Sequence, residues 1–214
     1  MTTGGQNRGL RLPIEVITPN EFIALLGTCG RSATGLRNRA LLAVLYGAGL
    51  RLSEALGLYR KDLDLDRGIL HVLHGKGNRR RAVGIDADNL ETLRKWDAVR
   101  AVAPVVQVPT EGPNLFGPLT PWLCTLDGRR LDPSYCRHLL PRLAARAGIA
   151  KRVHPHGLRH SLSAQLALEG VPVNVIQQQL GHRSLNTTSR YLEHIHPTQL
   201  VETMRSRRPL SGDR

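Results

Sequence analysis

The sequence predicts a mainly α-helical fold with one small antiparallel β-sheet (α+β). Apolar residues recur at three- and four-residue spacing through most of the chain, and β-prone residues concentrate in a single stretch, Ile69 to Ile85. Glycine or proline punctuates each helical run. At 214 residues the chain is long enough for one good hydrophobic core.

Thr18-Pro19-Asn20-Glu21 starts a helix near 19–27, with proline in the first turn and an acidic residue beside it, leading into Phe22, Ile23, Leu25 and Leu26. A second helix runs from about Gly35 to Tyr46, where Gly47-Ala48-Gly49 interrupts it, and Ser53 to Leu58 forms a short third. Ile69-Leu70-His71-Val72-Leu73 is β-prone, Gly75-Lys76-Gly77-Asn78 is a turn, and Arg79 to Ile85 returns as the second strand of a hairpin with a basic tip. Asp86 caps the next helix, through Leu90, Leu93, Trp96 and Val99. Ala103 to Pro121, with five prolines and two glycines, reads as a long loop, and Trp122 to Thr125 as extended. Asp132-Pro133 opens a helix toward Ala147 that Pro141 should kink or divide and Gly148 stops. Leu158, Leu162 and Leu166 mark a helix ended by Gly170, and Val173, Ile176 and Leu180 another ended by Gly181. Thr187 to Glu193 forms a short helix bearing Tyr191, followed by an amphipathic piece from Pro197 to Met204 and a basic tail.

Charge narrows the partner. Thirty Lys and Arg against 17 Asp and Glu leave a formal charge of +13, a field that attracts polyanions, so nucleic acid is the expected partner. The three cysteines, Cys29, Cys124 and Cys136, are widely spaced and odd in number, which gives no disulfide framework and points to the cytoplasm. Met1 to Pro13 lacks the apolar core of a signal peptide, and the longest apolar run, Ala40 to Leu50, is short of the ~20 residues that span a bilayer; no membrane role is expected.

Cleaving a phosphodiester without metal requires guanidinium groups on the nonbridging oxygens, a base for the nucleophile and an acid for the leaving alkoxide. Two Arg, a His, a Lys and a Tyr would suffice. Candidates for all of these occur in Gly47-Ala48-Gly49-Leu50-Arg51-Leu52-Ser53-Glu54, Gly75-Lys76-Gly77-Asn78, His156-Gly157-Leu158-Arg159-His160-Ser161, Leu180-Gly181-His182 and Thr187-Thr188-Ser189-Arg190-Tyr191. In these motifs, their order and their spacing, the chain resembles the catalytic domain of the tyrosine recombinases, the phage integrase family, from about Asn20 to Arg205.

The resemblance implies the tyrosine recombinase catalytic-domain fold and a site-specific DNA strand transferase. It further implies that Arg51 and Arg159 clamp the scissile phosphate, that Lys76 protonates the leaving 5′ oxygen, and that His156 handles the tyrosine proton. His182 would hydrogen-bond the phosphate, Tyr191 would form a 3′-phosphotyrosyl bond, and Glu54 would position the first arginine and histidine. No cofactor is called for: the bond energy is stored in the phosphotyrosine, so neither ATP nor a metal is expected. Arg79, Arg80, Arg81 and Arg183, with Arg37 and Arg39, are candidate contacts to double-stranded DNA, giving salt-sensitive affinity. A homotetramer on DNA, joined through the C-terminal helix, is the implied assembly.

The expected division is an N-terminal tail (1–18), a tyrosine recombinase catalytic domain (19–206) and a C-terminal tail (207–214), with no separate N-terminal core-binding domain expected. That arrangement is similar to catalytic-domain-only members, or to a fragment of a longer integrase. Each motif has a plainer reading taken alone: Arg51 a solvated residue opening a helix, Glu54 a capping carboxylate, Lys76 a hairpin tip, His182 a cap, Tyr191 a core aromatic. Gly77 stands where a phosphate loop needs Ser or Thr, and Gly157 where a helical zinc pair of His156 and His160 would need glutamate. Only Tyr191 of the four tyrosines follows a Gly-His pair, nine residues after His182. A non-catalytic DNA-binding module is the alternative, separated from the enzyme by the joint presence of all six reactive side chains.

Overall fold

The N-terminal turn of the first helix, α1 (Pro19–Thr28), is closed in both directions. Thr18 Oγ1 accepts from the Glu21 N–H at 3.2 Å, and the Glu21 carboxylate accepts from the Thr18 N–H at 2.8 Å. This computed structural model describes residues 15–73, 80–102 and 120–181, together with Arg205. Just ahead of α1, the Ile17 N–H donates to Ser161 Oγ at 2.8 Å, which binds the incoming chain to a helix far along the sequence.

α2 (Ala33–Tyr46) is buried without a break from Ala40 to Tyr46, so it is a central helix with no polar face over its second half. It packs against α4 (Ala87–Val102) and α6 (Pro155–Leu168). Asp86 caps α4 as expected, its Oδ1 accepting from the Asn89 N–H at 3.0 Å. Gly47 lies against this cap, where an added Cβ would sit 2.6 Å from the Asn89 side chain. The chain then turns through Gly49, at φ +66°, into the short α3 (Leu52–Leu56).

Among the described residues the sheet has three strands rather than the expected hairpin's two. β1 (Leu63–Asp64) pairs with β2 (Ile69–Val72), and β2 pairs with β3 (Arg81–Gly84), all antiparallel. Leu63 and Leu70 face each other, as do Leu70 and Val83, and all three side chains are buried on the same face. β1 is only two residues long, too short to leave an alternating pattern in the sequence. Tyr59 and Pro121 form an isolated bridge, and Cys124 pairs with Arg130 in another, so the expected extension at Trp122–Thr125 is a pair of single contacts.

α5 (Pro133–Arg146) begins at Asp132, whose Oδ1 accepts from the N–H groups of Ser134 and Tyr135. It continues through Pro141 as one helix, so the expected division does not occur. Proline removes one hydrogen bond, the one to Arg137, and both residues are exposed, so water can reach the freed carbonyl. α7 (Val173–Leu180) follows α6 and joins it through Leu162, Ile176 and Leu180. Its Leu180 ends against Gly181 in the left-handed conformation, as the sequence predicts. No helix among the described residues is long and apolar enough to cross a membrane.

Candidate active site

Gly49 decides how the site is assembled. Its positive φ turns the backbone toward α3, and a Cβ there would stand 2.7 Å from Leu180 and 2.8 Å from Leu162, so the turn is pressed against α6 and α7. Arg159, on α6 and buried, crosses this junction: its Nη1 donates to the Gly49 carbonyl and its Nη2 to the Leu180 carbonyl. One guanidinium therefore joins the end of the Gly47–Gly49 turn to the last residue of α7. Gln179 reinforces the same junction, its Nε2 donating to Gly84 O at 2.8 Å and Ala48 O at 3.2 Å while its Oε1 accepts from the Gly84 N–H at 3.0 Å.

Arg51 stands two residues after Gly49, at the N-cap of α3. Its N–H donates to Glu54 Oε2 at 2.9 Å, and its Nη1 donates to Glu54 Oε1 at 2.7 Å. The Arg51 side chain is 30% exposed, against 2% for Glu54, so the carboxylate is inside and the guanidinium reaches outward. Burial alone would push the Glu54 carboxyl up, but hydrogen bonds and charge from Arg81, and hydrogen bonds from the Arg51 N–H and guanidinium, bring it down to about 2. It stays ionised throughout the neutral range.

His156 occupies the first turn of α6, after Pro155, and is exposed. Desolvation, then the charges of Arg159, His154 and Arg51, hold its pKa below the usual imidazole value. These influences favour its neutral form, beside the two arginines. One turn on, His160 is buried and its Nε2 lies 2.6 Å from His156 Nε2, with the rings edge to face at 4.0 Å. His160 was read from the sequence only as half of a rejected zinc pair; its i,i+4 spacing on α6 is the signal that could have marked it as a partner of His156.

Of the residues singled out in the sequence, Arg51, Glu54, His156 and Arg159 come together here from two regions a hundred positions apart. Arg80 is exposed, whereas Arg81 turns inward onto Glu54. Arg37 is buried against Asn38 and Tyr135, and Arg39 donates to the Cys29 carbonyl. Lys76, Arg79, His182, Arg183 and Tyr191 lie outside the described residues, as do the helices expected at 187–193 and 197–204 and the loop at 103–119. Gln179 was not noticed in the sequence, where it is one of three consecutive glutamines with nothing to distinguish it.

Residues 15–196 match the model of the phage integrase family. The chain belongs to that family. Among its relatives, tyrosine recombinase XerC of Thermodesulfovibrio yellowstonii is 34% identical over 177 residues, which is 83% of this chain and 56% of the relative. The chain thus spans little more than half the length of that recombinase. The crystal structure of XerA recombinase superposes on this family member with a TM-score of 0.71 at 25% identity, covering 96% of this chain and 68% of the other. XerH site-specific recombinase bound to its palindromic difH substrate, a post-cleavage complex, gives a TM-score of 0.69 at 28% identity over 93% of this chain and 54% of the other. The mostly helical fold with its small antiparallel sheet is the fold of tyrosine recombinase catalytic domains.

Proposed function

We propose that this chain is the catalytic part of a site-specific DNA recombinase, acting in the cytoplasm, that cleaves and rejoins double-stranded DNA through Tyr191. The observation that carries the reading is the junction at Gly49, where Arg159 is bonded to the turn that presents Arg51, and both cations favour the neutral form of His156. A phosphodiester bound between two guanidiniums is held where charge builds up in the transition state. The Tyr191 oxygen attacks phosphorus, its proton passes to His156, and the bond from phosphorus to the 5′ oxygen breaks as Lys76 supplies a proton to that oxygen. A 5′ hydroxyl of another strand then attacks the phosphotyrosine, and the same proton transfers run in reverse. His182 donates to a phosphate oxygen, and Arg79, Arg80 and Arg183 lie along the DNA backbone. The recombinase names of the relatives, and the palindromic difH substrate bound by XerH site-specific recombinase, support DNA as the partner.

Assembly as a homotetramer on DNA belongs to the same reading. A groove of about 540 Å³ lined by Phe22, Ile23, Leu26, Leu162, Leu166 and Val175 supports it, since this apolar surface suits the Pro197–Met204 segment of a second copy. Incubation with nicked suicide DNA, without metal or ATP, tests the chemistry: a denaturation-resistant adduct that maps to Tyr191 and disappears in Tyr191→Phe is expected. An adduct unchanged in that variant overturns the assignment.

A further inference from the structure

We infer that Arg81 is a positioning residue of this site: clamped onto Glu54, it sets the direction of Arg51 and ties the hairpin that carries Lys76 to the arginine junction. The inference rests on the strand-transfer reading above and assigns Arg81 a task different from that of Arg79 and Arg80.

The geometry is a fork on a fork. Arg81 Nη1 donates to Glu54 Oε1 at 3.0 Å and Nη2 donates to Oε2 at 2.8 Å. With the two bonds from Arg51, each carboxylate oxygen accepts twice, which fills the roughly four acceptor positions a carboxylate has. Glu54 so saturated cannot rotate without breaking bonds to Arg81, and Arg51 Nη1 follows it. The Arg81 side chain is only 12% exposed, against 48% for Arg60 in its pair with Asp97. Arg81 therefore presents little of itself to a DNA backbone.

Strand alternation explains why it points inward. Val83 is buried, Ala82 and Gly84 are exposed, and Arg81, two residues before Val83, shares the inner face. Arg81 also pairs with Val72 across the ladder, so it closes the base of the connection in which Lys76 lies. On its other side it runs beneath Gly181, where an added Cβ would be 2.9 Å from Arg81 Cδ and 3.0 Å from Nε. Glycine at 181 leaves room for this stem immediately before His182. A single side chain thus touches the start of α3, the head of β3 and the end of α7.

The charges make the same arrangement useful. Glu54 alone would neutralise Arg51 and weaken its pull on a phosphate. Arg81 supplies the second cation, so the carboxylate orients Arg51 while the cluster of two guanidiniums and one carboxylate remains positive.

The test uses the full chain as wild type, Arg81→Lys and Arg81→Gln on the nicked suicide DNA, with adduct rate measured at saturating DNA and affinity measured against salt. Lysine keeps the charge but not the fork. Arg81→Lys should slow adduct formation by roughly tenfold to a hundredfold while the salt dependence of binding stays that of wild type. A wild-type rate in Arg81→Lys overturns the inference. So does an Arg81→Gln protein whose salt slope drops by about one phosphate contact while its rate at saturation is unchanged. Should Arg81→Gln not fold, Arg81→Lys decides alone. A wild-type protein that forms no adduct refutes the strand-transfer reading; Arg81 is then judged by the Glu54 carboxyl followed by NMR, which must titrate at higher pH in Arg81→Lys. An unmoved titration rules out the clamp.

Discussion

His156 Nε2 and His160 Nε2 are 2.6 Å apart, so with both rings neutral only one of the two nitrogens carries a hydrogen. When His156 takes up a proton it must be the donor, and His160 the acceptor, with its own hydrogen on Nδ1. His160 thereby stabilises the charged form of His156 against the desolvation and the cations of Arg159, His154 and Arg51 that disfavour it. Replacing His160 with Phe should shift the acidic limb of the cleavage rate to lower pH and reduce the plateau roughly tenfold, because the base is weaker. A pH profile of single-turnover adduct formation, set beside that of His160→Gln, which keeps an acceptor, checks this; coincident profiles for all three proteins refute it.

Acid should weaken the fold through Glu54. Its folded pKa of about 2 lies below the usual value of 4.5, so the stabilisation is fully present above pH 4.5 and is lost as pH falls toward 2. A depression of that size corresponds to on the order of 3 kcal/mol. Glu54→Gln should cost about 3–5 kcal/mol at pH 7, since it leaves Arg81 largely buried beside no opposite charge. That deficit should shrink on going from pH 4.5 to 2, as read from denaturant unfolding of both proteins across the window.

Gly49→Ala tests the turn. Alanine is strained at φ +66°, and its methyl would overlap Leu180 and Leu162. A loss of roughly 2–4 kcal/mol is expected in denaturant melts, accompanied by a fall in adduct rate as Arg51 is displaced. Gly148→Ala is the control: it shares a positive φ of 69° but has nothing within 4 Å of its added Cβ, so it should lose only the backbone part.

Arg159→Met should act on both stability and chemistry. The carbonyls of Gly49 and Leu180 lose their donor, which costs about 1–3 kcal/mol for a buried acceptor left unpaired. Adduct formation should fall by roughly a hundredfold or more if Arg159 is the phosphate donor proposed above. Arg159→Lys should recover part of the stability and little of the rate, because an ammonium cannot reach two carbonyls and a phosphate at once.

The helices were legible because each is marked where it begins and ends. Thr18 with Glu21, Asp86 and Asp132 announce starts, and Gly47 and Gly181 announce stops. Pro141 does not divide α5 because a proline's effect depends on whether its face of the helix meets water, which spacing around it does not disclose. β1 escaped because two residues carry no period. Arg81 was grouped with Arg79 and Arg80 as one basic run, although its register with Val83 already placed it on the inner face.

By itself the sequence determined the helical fold with its small sheet, the family, and which side chains could do chemistry, since caps, periodicity and motif spacing are local properties. Only the tertiary structure decided which of the described ones meet. Arg159 reaches Gly49 across 110 positions, and Arg81 reaches Glu54 across 27. A basic run reads alike whether its arginines face DNA or a buried carboxylate, and packing makes that choice, because a buried charge must find its partner wherever the chain brings one.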